Sequence, residues 1–403
     1  MSRLLVLSGH SGPLDRRIVA EVNTLAASGR SVTLVNIPAD IQATCLDQRV
    51  RVVMQSTGSV GRRYVLKRVL RKLPVRLGKL ARTAWHLLNP GPLPALRQYF
   101  LQVTPREKFD VIHCHDLDTL PAAVELREKI SPNAKLIYDS HELFPFQFTR
   151  RWFQKYWLNV EEQYIRAADL IITINASISQ ELARLYDIDR PAVIYNSYGV
   201  FRQAKPLEES GFLQHFGAST EGFRLIFQGT YVPEKNLVAL LKAFGMLGAA
   251  TQLFLLGGGP MEVGLRKLCK KLRLPNVFFG AWVPQEDLLS YVAHAHLGII
   301  PYSGREILNN RYCTPNKLFE FIAAEIPICA SDLPELRRIV KENGIGDVYT
   351  MDDPAAIASA IEDCCAQCAR RAFSLSALRA AREKFAWDKQ GKKLVALYDK
   401  LGV

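Results

Sequence analysis

Short β-branched or leucine-rich runs alternate with helical patterns along this chain, in two consecutive series separated by a polar joint. That alternation predicts an α/β protein of two Rossmann-like domains facing a cleft. Length agrees, because 403 residues exceed what one hydrophobic core usually organises. Hydrophobic residues make up 48% and charged residues 23%, a globular balance that excludes a largely disordered chain.

The opening MSRLLVLSGHSG carries one basic residue and a short apolar core, Leu4 to Leu7, so it reads as a buried first strand rather than a signal segment. No apolar run approaches the roughly 18 residues that span a bilayer. Further strands are expected at 31–36, 49–54, 110–114, 135–139, 170–174 and 192–195, with helical patterns at 15–28, 119–130, 154–168 and 177–186. The polar stretch 199–219 closes this series, and the second has strands at 224–228, 252–256, 277–279, 297–300 and 328–330. Its helical patterns follow at 236–247, 261–272, 285–294, 316–324 and 334–342. The expected domains are therefore 1–200 and 201–386. The last stretch, 372–401, is amphipathic, with Trp387 and Tyr398 as apolar anchors.

Eight cysteines sit mostly inside apolar segments and without the spacing of a disulfide framework. The tightest group, Cys364, Cys365 and Cys368, lies in a helical pattern with no second ligand cluster nearby, so it reads as helix packing rather than a metal site.

In open α/β sheets ligands bind beyond the carboxyl ends of the strands. Polar motifs stand at those ends. After the first strand comes Ser8-Gly9-His10-Ser11-Gly12-Pro13, followed by Asp15-Arg16-Arg17. Gly9 and Gly12 permit a tight turn and close approach of a substrate. The third glycine of the dinucleotide fingerprint is missing, and an ordinary βα turn explains the segment equally well. The run VIHCHDLD places His113 and His115 on one strand face and Cys114 on the other. A metal there needs further ligands, and the sequence points to none. His113 sits deeper and reads as structural. His115, beside Asp116 and Asp118, is the candidate to hydrogen-bond a sugar hydroxyl or a developing charge. The cluster Tyr138-Asp139-Ser140-His141-Glu142 repeats the pattern of polar residues after a buried strand.

In the second series Gln228-Gly229-Thr230 ends a strand, and Pro233-Glu234-Lys235-Asn236 opens a helix. A lysine at a helix start, beside free backbone N–H groups, is chemically a phosphate site. Gly257, Gly258 and Gly259 form another strand-to-helix turn, where backbone amides can reach a ligand, and Pro260 suits a first helical turn. In Cys313-Thr314-Pro315-Asn316-Lys317-Leu318-Phe319-Glu320, residues Leu318, Phe321 and Ile322 share one helical face, and Glu320 lies one turn after Asn316 on another. A carboxylate there can take both hydroxyls of a ribose. On an isolated helix the same Glu would simply be solvated.

Taken together these segments resemble family 4 of the retaining glycosyltransferases, which have the GT-B fold. The resemblance runs from LLVLSGHSGPLDRRIVAEVNTLAASGRSVTLV through VIHCHDLDTLPAA, LIYDSHELF and RAADLIITIN. It continues through FQGTYVPEKNLVALLKAF, FLLGGGP and YCTPNKLFEFIAAEIPICASDLPELRRIV to FAWDKQGKKLVALYDKL. It implies an acceptor-binding first domain and a second domain that binds a nucleotide-sugar, with the final helix, 387–403, crossing back to the first. By position, Lys235 contacts the diphosphate, Gly229 and Gly257 to Gly259 line the donor, and Glu320 is the ribose ligand. Asn316, Lys317 and Leu318 are grouped with it as donor contacts. Gly9 and Gly12 face the diphosphate, and His10, His115, Asp116, His141 and Glu142 the acceptor. His115, Lys235 and Glu320 are the catalytic candidates.

Three positions depart from the family pattern. Tyr312 stands where the first Glu of the family motif falls, with Glu306 and Asn309 as candidate substitutes. Thr230 replaces a frequent basic residue, and Glu325 a frequent Gly. Tyr312 keeps a second class in view, a GT-B-like protein of weak or no transferase activity. The chemistry implied needs no metal or cofactor beyond the nucleotide-sugar substrate. Negative charge grows on the leaving diphosphate, and each well-placed donor can contribute ~3 kcal/mol against it. Retention of anomeric configuration is the expectation.

The net charge of +13 is concentrated in one place. Between Arg49 and Lys108 fourteen Lys or Arg face a single acid, Glu107, and the other 343 residues balance. This basic insertion interleaves apolar residues with Arg62, Arg63, Lys67, Arg68, Arg71 and Lys72 in a helical pattern. Such a helix suits an anionic membrane surface, at about 1 kcal/mol per basic residue near charged headgroups. It is consistent with a glycan or lipid-linked acceptor at the cytoplasmic face of the cell membrane. A solvated helix packed on the first domain is the plainer alternative. A one-sided basic patch is also the footprint of nucleic-acid binding, but no nucleic-acid motif accompanies it and none is expected as a partner.

Overall fold

The computed structural model describes residues 1–10, 14–38, 46–55, 93–199, 207–218, 222–248, 250–304 and 307–403. Gly12, Glu306 and the candidate membrane residues Arg62, Arg63, Lys67, Arg68, Arg71 and Lys72 lie outside them.

The described residues form two parallel sheets. The first joins β1 (Arg3–Ser8), β2 (Ser31–Asn36), β3 (Val50–Val53), β4 (Val111–His115), β5 (Lys135–Ser140), β6 (Leu170–Thr173) and β7 (Ala192–Val193), in the order β3-β2-β1-β4-β5-β6-β7. The second joins β8 (Phe223–Thr230), β9 (Thr251–Gly258), β10 (Val277–Gly280), β11 (Leu297–Ile300), β12 (Ile328–Ser331) and β13 (Gly346–Tyr349), in the order β10-β9-β8-β11-β12-β13. Each order reverses direction at one point, between β1 and β4 and between β8 and β11. Such switch points open a crevice beyond the strand ends, where doubly wound folds bind ligands. The runs are apolar because helices cover both faces, so β1 and β4 are buried almost throughout. Strand β13 is not among the expected strands: its Gly-Asp-Val-Tyr sequence is short and carries no apolar run.

Six helices position the site. They are α1 (Arg16–Ala27), α2 (Arg151–Tyr164), α3 (Leu237–Phe244), α4 (Leu308–Arg311), α5 (Asn316–Ala323) and α6 (Trp387–Lys400). Asp15 caps α1 by accepting from the Arg17 N–H at 2.7 Å, which turns the chain sharply out of β1. One continuous core fills the second domain, and two cores cover the faces of the first sheet.

The final helix belongs to the first of these layers although it follows the second domain in sequence. Trp387, Leu394 and Tyr398 of α6 join Ile18 and Val22 of α1 in one buried cluster. Trp387 Nε1 donates to Thr24 Oγ1 at 2.9 Å, and the place of a Cβ on Gly391 lies 3.0 Å from Thr24 Cγ2, so the two helices touch at that glycine. Burying a side chain such as Leu394 contributes roughly 1.5–3 kcal/mol, which accounts for the return of the chain. Among the described residues no helix is long and apolar enough to cross a membrane. The cysteines of the 364–368 group are free, with Cys364 buried in the second core.

Candidate active site

The donor half begins where β8 and β9 end side by side. Gly257 has φ +139°, and a Cβ there would stand 2.3 Å from the Gly229 carbonyl oxygen. A Cβ on Gly259 would fall 2.7 Å from the Tyr231 nitrogen. These glycines therefore let the two strand ends approach each other. Gly258 differs, since its open side meets only the ends of Glu262 and Trp282.

Two lysines converge on Tyr302, which is buried just past β11. Lys235 Nζ lies 3.8 Å from the centre of the Tyr302 ring. Lys317 Nζ donates to the Tyr302 hydroxyl at 2.8 Å and lies 3.7 Å from the Phe227 ring centre. Its ammonium is also the group nearest the open side of Gly229, at 3.6 Å. Burial pulls both ammonium groups down from the usual lysine range, Lys317 well down, where the neighbouring Lys235 charge adds to the effect. An arriving anion would relieve that repulsion. Burial also pushes the Cys313 thiol beside them up to about 11, so it stays a neutral thiol.

Glu320 of α5 is 7% exposed and points at the gap between the domains. One carboxylate oxygen accepts from Arg16 Nη1 and the other from Gln228 Nε2. Arg16 Nη2 reaches the Asn316 carbonyl at 3.3 Å, and its guanidinium lies 5.5 Å from the Tyr198 ring centre. Asn316 is exposed and accepts from Asn196 of the first domain at 2.8 Å. Leu318, grouped with the donor contacts in the sequence reading, is fully buried in the core, and its N–H goes to the Pro315 carbonyl at 2.9 Å. It offers a ligand no polar group.

In the first domain Gly9 leaves β1 facing Asp118, whose Oδ2 would stand 2.8 Å from a Cβ on that glycine. His10 lies 4.0 Å from Asp15. His115 is turned inward: it is 1% exposed, and its Nδ1 is 3.0 Å from His141 Nε2. His115, an expected acceptor contact and catalytic candidate, is thus packed against Glu21 of α1 and Asp139 of β5, at 3.9 and 3.6 Å. His141, Glu142 and Asp116 are half-buried at the same edge. Burial opposes charge on His141, yet the Asp116 and Asp139 carboxylates push it up to about 10. Burial, with the nearby Asp116 charge, pushes Glu142 up to about 7.

The two halves meet through α4. Asn309 accepts from the Leu143 N–H at 3.0 Å and donates to Glu142 Oε2 at 2.6 Å. The Tyr312 carbonyl accepts from Asn175 Nδ2 at 2.7 Å, and its ring packs on the first domain's core. Both residues at the first-Glu region of the motif therefore serve the contact between domains. Arg16, Gln228 and Tyr302 are the residues sequence reasoning left unassigned. Arg16 did carry a signal: a cation in the first turn of a helix is disfavoured by the helix dipole, so it requires an external partner.

Two doubly wound domains, with cations and a buried carboxylate at facing strand ends, define a GT-B fold. Residues 222–367 match the family described as Glycosyl transferases group 1, and residues 39–198 match Glycosyltransferase Family 4. The chain belongs to the GT-B glycosyltransferases, with a family 4 first domain and a group 1 second domain. It is 27% identical over 267 residues to D-inositol 3-phosphate glycosyltransferase of Nocardioides sp. (strain ATCC BAA-499 / JS614), covering 59% of this chain and 55% of that one. Sucrose-phosphate synthase from Thermosynechococcus elongatus has a similar fold, with TM-score 0.71 at 18% identity over 100% of this chain and 99% of the other. So does Anabaena HepE, solved in complex with UDP-glucose, with TM-score 0.70 at 16% identity over 99% and 100%.

Proposed function

We propose that this glycosyltransferase moves a hexosyl group from a nucleoside-diphosphate sugar to a hydroxyl of a membrane-associated glycan or lipid-linked acceptor, with retention of configuration. The observation that carries the reading is Glu320 with Lys235 and Lys317 at one lip of the gap, opposite Asp116, His141 and Glu142 at the other. Glu320 would take the ribose diol once Arg16 and Gln228 give way. Lys235 and Lys317 would face the diphosphate. As the anomeric carbon–oxygen bond breaks, charge builds on the departing phosphate, and both ammonium groups stabilise it. The acceptor hydroxyl attacks from the same face and passes its proton to that phosphate oxygen. No side chain serves as nucleophile and no metal takes part in this step. His115 acts behind His141, holding its ring, rather than by touching the sugar.

The acceptor class rests on the basic insertion, which suits an anionic surface at the inner face of the cell membrane and a place in cell-surface polysaccharide or lipopolysaccharide synthesis. Incubation with UDP-, GDP- and ADP-sugars tests the transferase. Slow donor hydrolysis or transfer that disappears in Glu320→Ala and Lys235→Ala is expected, and activity retained in both variants would reject the assignment. Flotation with anionic liposomes tests the membrane claim. A variant neutralised at Arg62, Arg63, Lys67 and Arg68 should float less than the native chain, and equal flotation removes the claim.

A further inference from the structure

Between α1, β4 and β5 lies a buried cluster that the donor site does not use. Glu21, His113, His115 and Asp139 are each at most 1% exposed. One oxygen or ring nitrogen from each lies within 4.8 Å of all the others. His113 Nε2 is 3.8 Å from both Glu21 Oε2 and Asp139 Oδ2, and His115 Nε2 is 3.9 Å from the same Glu21 oxygen. Glu21 Oε2 and the Nε2 atoms of both histidines are without a hydrogen-bond partner. Buried polar atoms almost always have one. Three that face one another, Glu21 Oε2 and the two Nε2 atoms, call for something between them.

The remaining ring nitrogens are already engaged. His113 Nδ1 lies 2.7 Å from the Tyr398 hydroxyl, and His115 Nδ1 lies 3.0 Å from His141 Nε2. Histidines that bind metals donate from the nitrogen that does not bind. A metal on Nε2 therefore requires each Nδ1–H to donate, to the Tyr398 hydroxyl and to His141 Nε2, with His141 giving up its own Nε2 proton as the ion enters. Their rings stack with centres 4.5 Å apart. Arg17 adds a cation to the cluster, but it donates two hydrogen bonds to Asp139 Oδ2, at 3.0 and 2.9 Å, and one to the Ile194 carbonyl at 2.6 Å. Its Nε also stands 2.9 Å from Glu21 Oε1, which leaves Oε2 as the oxygen nearest the histidines. Arg17 is thus shared between Asp139 and Glu21 Oε1, and Glu21 Oε2 is the carboxylate oxygen that no cation of the protein reaches.

We propose that Glu21, His113 and His115, with Asp139 as a fourth ligand, bind one divalent transition-metal ion of the zinc class. Two neutral imidazoles and carboxylate oxygens are the donor set such ions take. Metal–ligand distances of about 2.0–2.1 Å give a tetrahedron with edges of about 3.3 Å, so the spacings of 3.8–3.9 Å need to contract by about half an ångström and the widest, within 4.8 Å, by up to about 1.5 Å. The ion would be structural. It would tie α1, which carries Arg16, to the strand ends that carry Asp116, His141 and Glu142, away from the transfer step itself.

Metal-stripped full-length protein titrated with Co2+ tests this directly. One equivalent bound with the visible absorption of four-coordinate cobalt, and without a thiolate charge-transfer band, is the expected result. Glu21→Gln and His113→Gln should lose that absorption while keeping the native circular dichroism. A native chain that binds no Co2+ or Zn2+ overturns the proposal, and so does equal binding by native chain and variants. Should a variant fail to fold, the native chain alone decides. Zn2+ should raise its Tm by several degrees at a stoichiometry near one, and an unchanged Tm with no heat of binding overturns the site. None of these readouts depends on transferase activity.

Discussion

Arg16, at the start of the first domain's α1, donates to Glu320 of the second domain's α5, and both side chains are nearly buried, at 5% and 9% exposure. The carboxylate proposed to take the ribose is therefore already held from across the gap. Removing one member of a buried pair strands the other charge and costs about 3 kcal/mol. Arg16→Met alone should lower Tm accordingly, and Arg16→Met with Glu320→Leu should recover most of the loss. Nucleotide binding separates the two roles. By calorimetry Glu320→Leu should lose UDP, GDP and ADP alike, whereas Arg16→Met keeps whichever one binds. Undiminished binding in Glu320→Leu would sink the ribose role.

Lys235 and Lys317 share Tyr302, and each is held down in pKa by burial. A buried ammonium gains most where negative charge develops, so each should contribute about 3 kcal/mol at the transition state. Lys235→Ala and Lys317→Met are expected to lower kcat about 100-fold each. Because both act on one phosphate, the double variant should lose less than the product of the two. Steady-state kinetics of donor hydrolysis would show this. Full additivity would mean that the lysines serve separate groups.

The glycine turn after β9 gives a test of packing against ligand approach. Gly257→Ala forces a Cβ to within 2.3 Å of the Gly229 carbonyl at φ +139°, and its three nearest atoms are all Gly229 backbone, which cannot swing aside. A loss above about 3 kcal/mol is expected, since strain and overpacking add. Gly258→Ala meets only side-chain ends, at 3.2 Å, that can swing aside. It should cost no more than about 1 kcal/mol. Urea unfolding of the two variants compares them, and equal losses would refute the distinction.

How far the sequence reaches is clear from particular residues. Apolar runs and glycine turns reveal both sheets, because burial on two faces demands continuous hydrophobic strands. The carboxyl-end motifs likewise lead to Lys235 and Glu320. Strand β13 escapes because an edge strand of four mixed residues carries no pattern. The partners of Glu320 escape for another reason: Arg16 and Gln228 stand 304 and 92 positions away, and only the closed chain brings them together. His115 shows another limit: alternation along β4 places it at a strand end, but only the packing of Glu21 and Asp139 against it shows that the ring is buried. Asn309 and Tyr312 belong to the same class, since a docking contact between domains leaves no periodicity in either one.

Glu161 of α2 offers a clean dependence of stability on pH. It is wholly buried and accepts from the Tyr138 and Tyr186 hydroxyls at 2.7 and 2.6 Å. Burial pushes its carboxyl up to about 7 from an ordinary 4.5 despite those two donors. The folded state therefore holds a proton that the unfolded state has released across this interval. Stability from this group is fully present below the unfolded pKa and is lost as pH rises through the folded one, by about 3 kcal/mol in all. Glu161→Gln cannot ionise, and its amide still meets both phenols. Unfolding in urea at about pH 5 and about pH 8 should show the native chain losing about 3 kcal/mol more than the variant over that range. The raised Glu142 titrates in both proteins and cancels in the difference. Parallel losses would mean that Glu161 is already ionised in the folded chain, its two tyrosine hydrogen bonds outweighing burial.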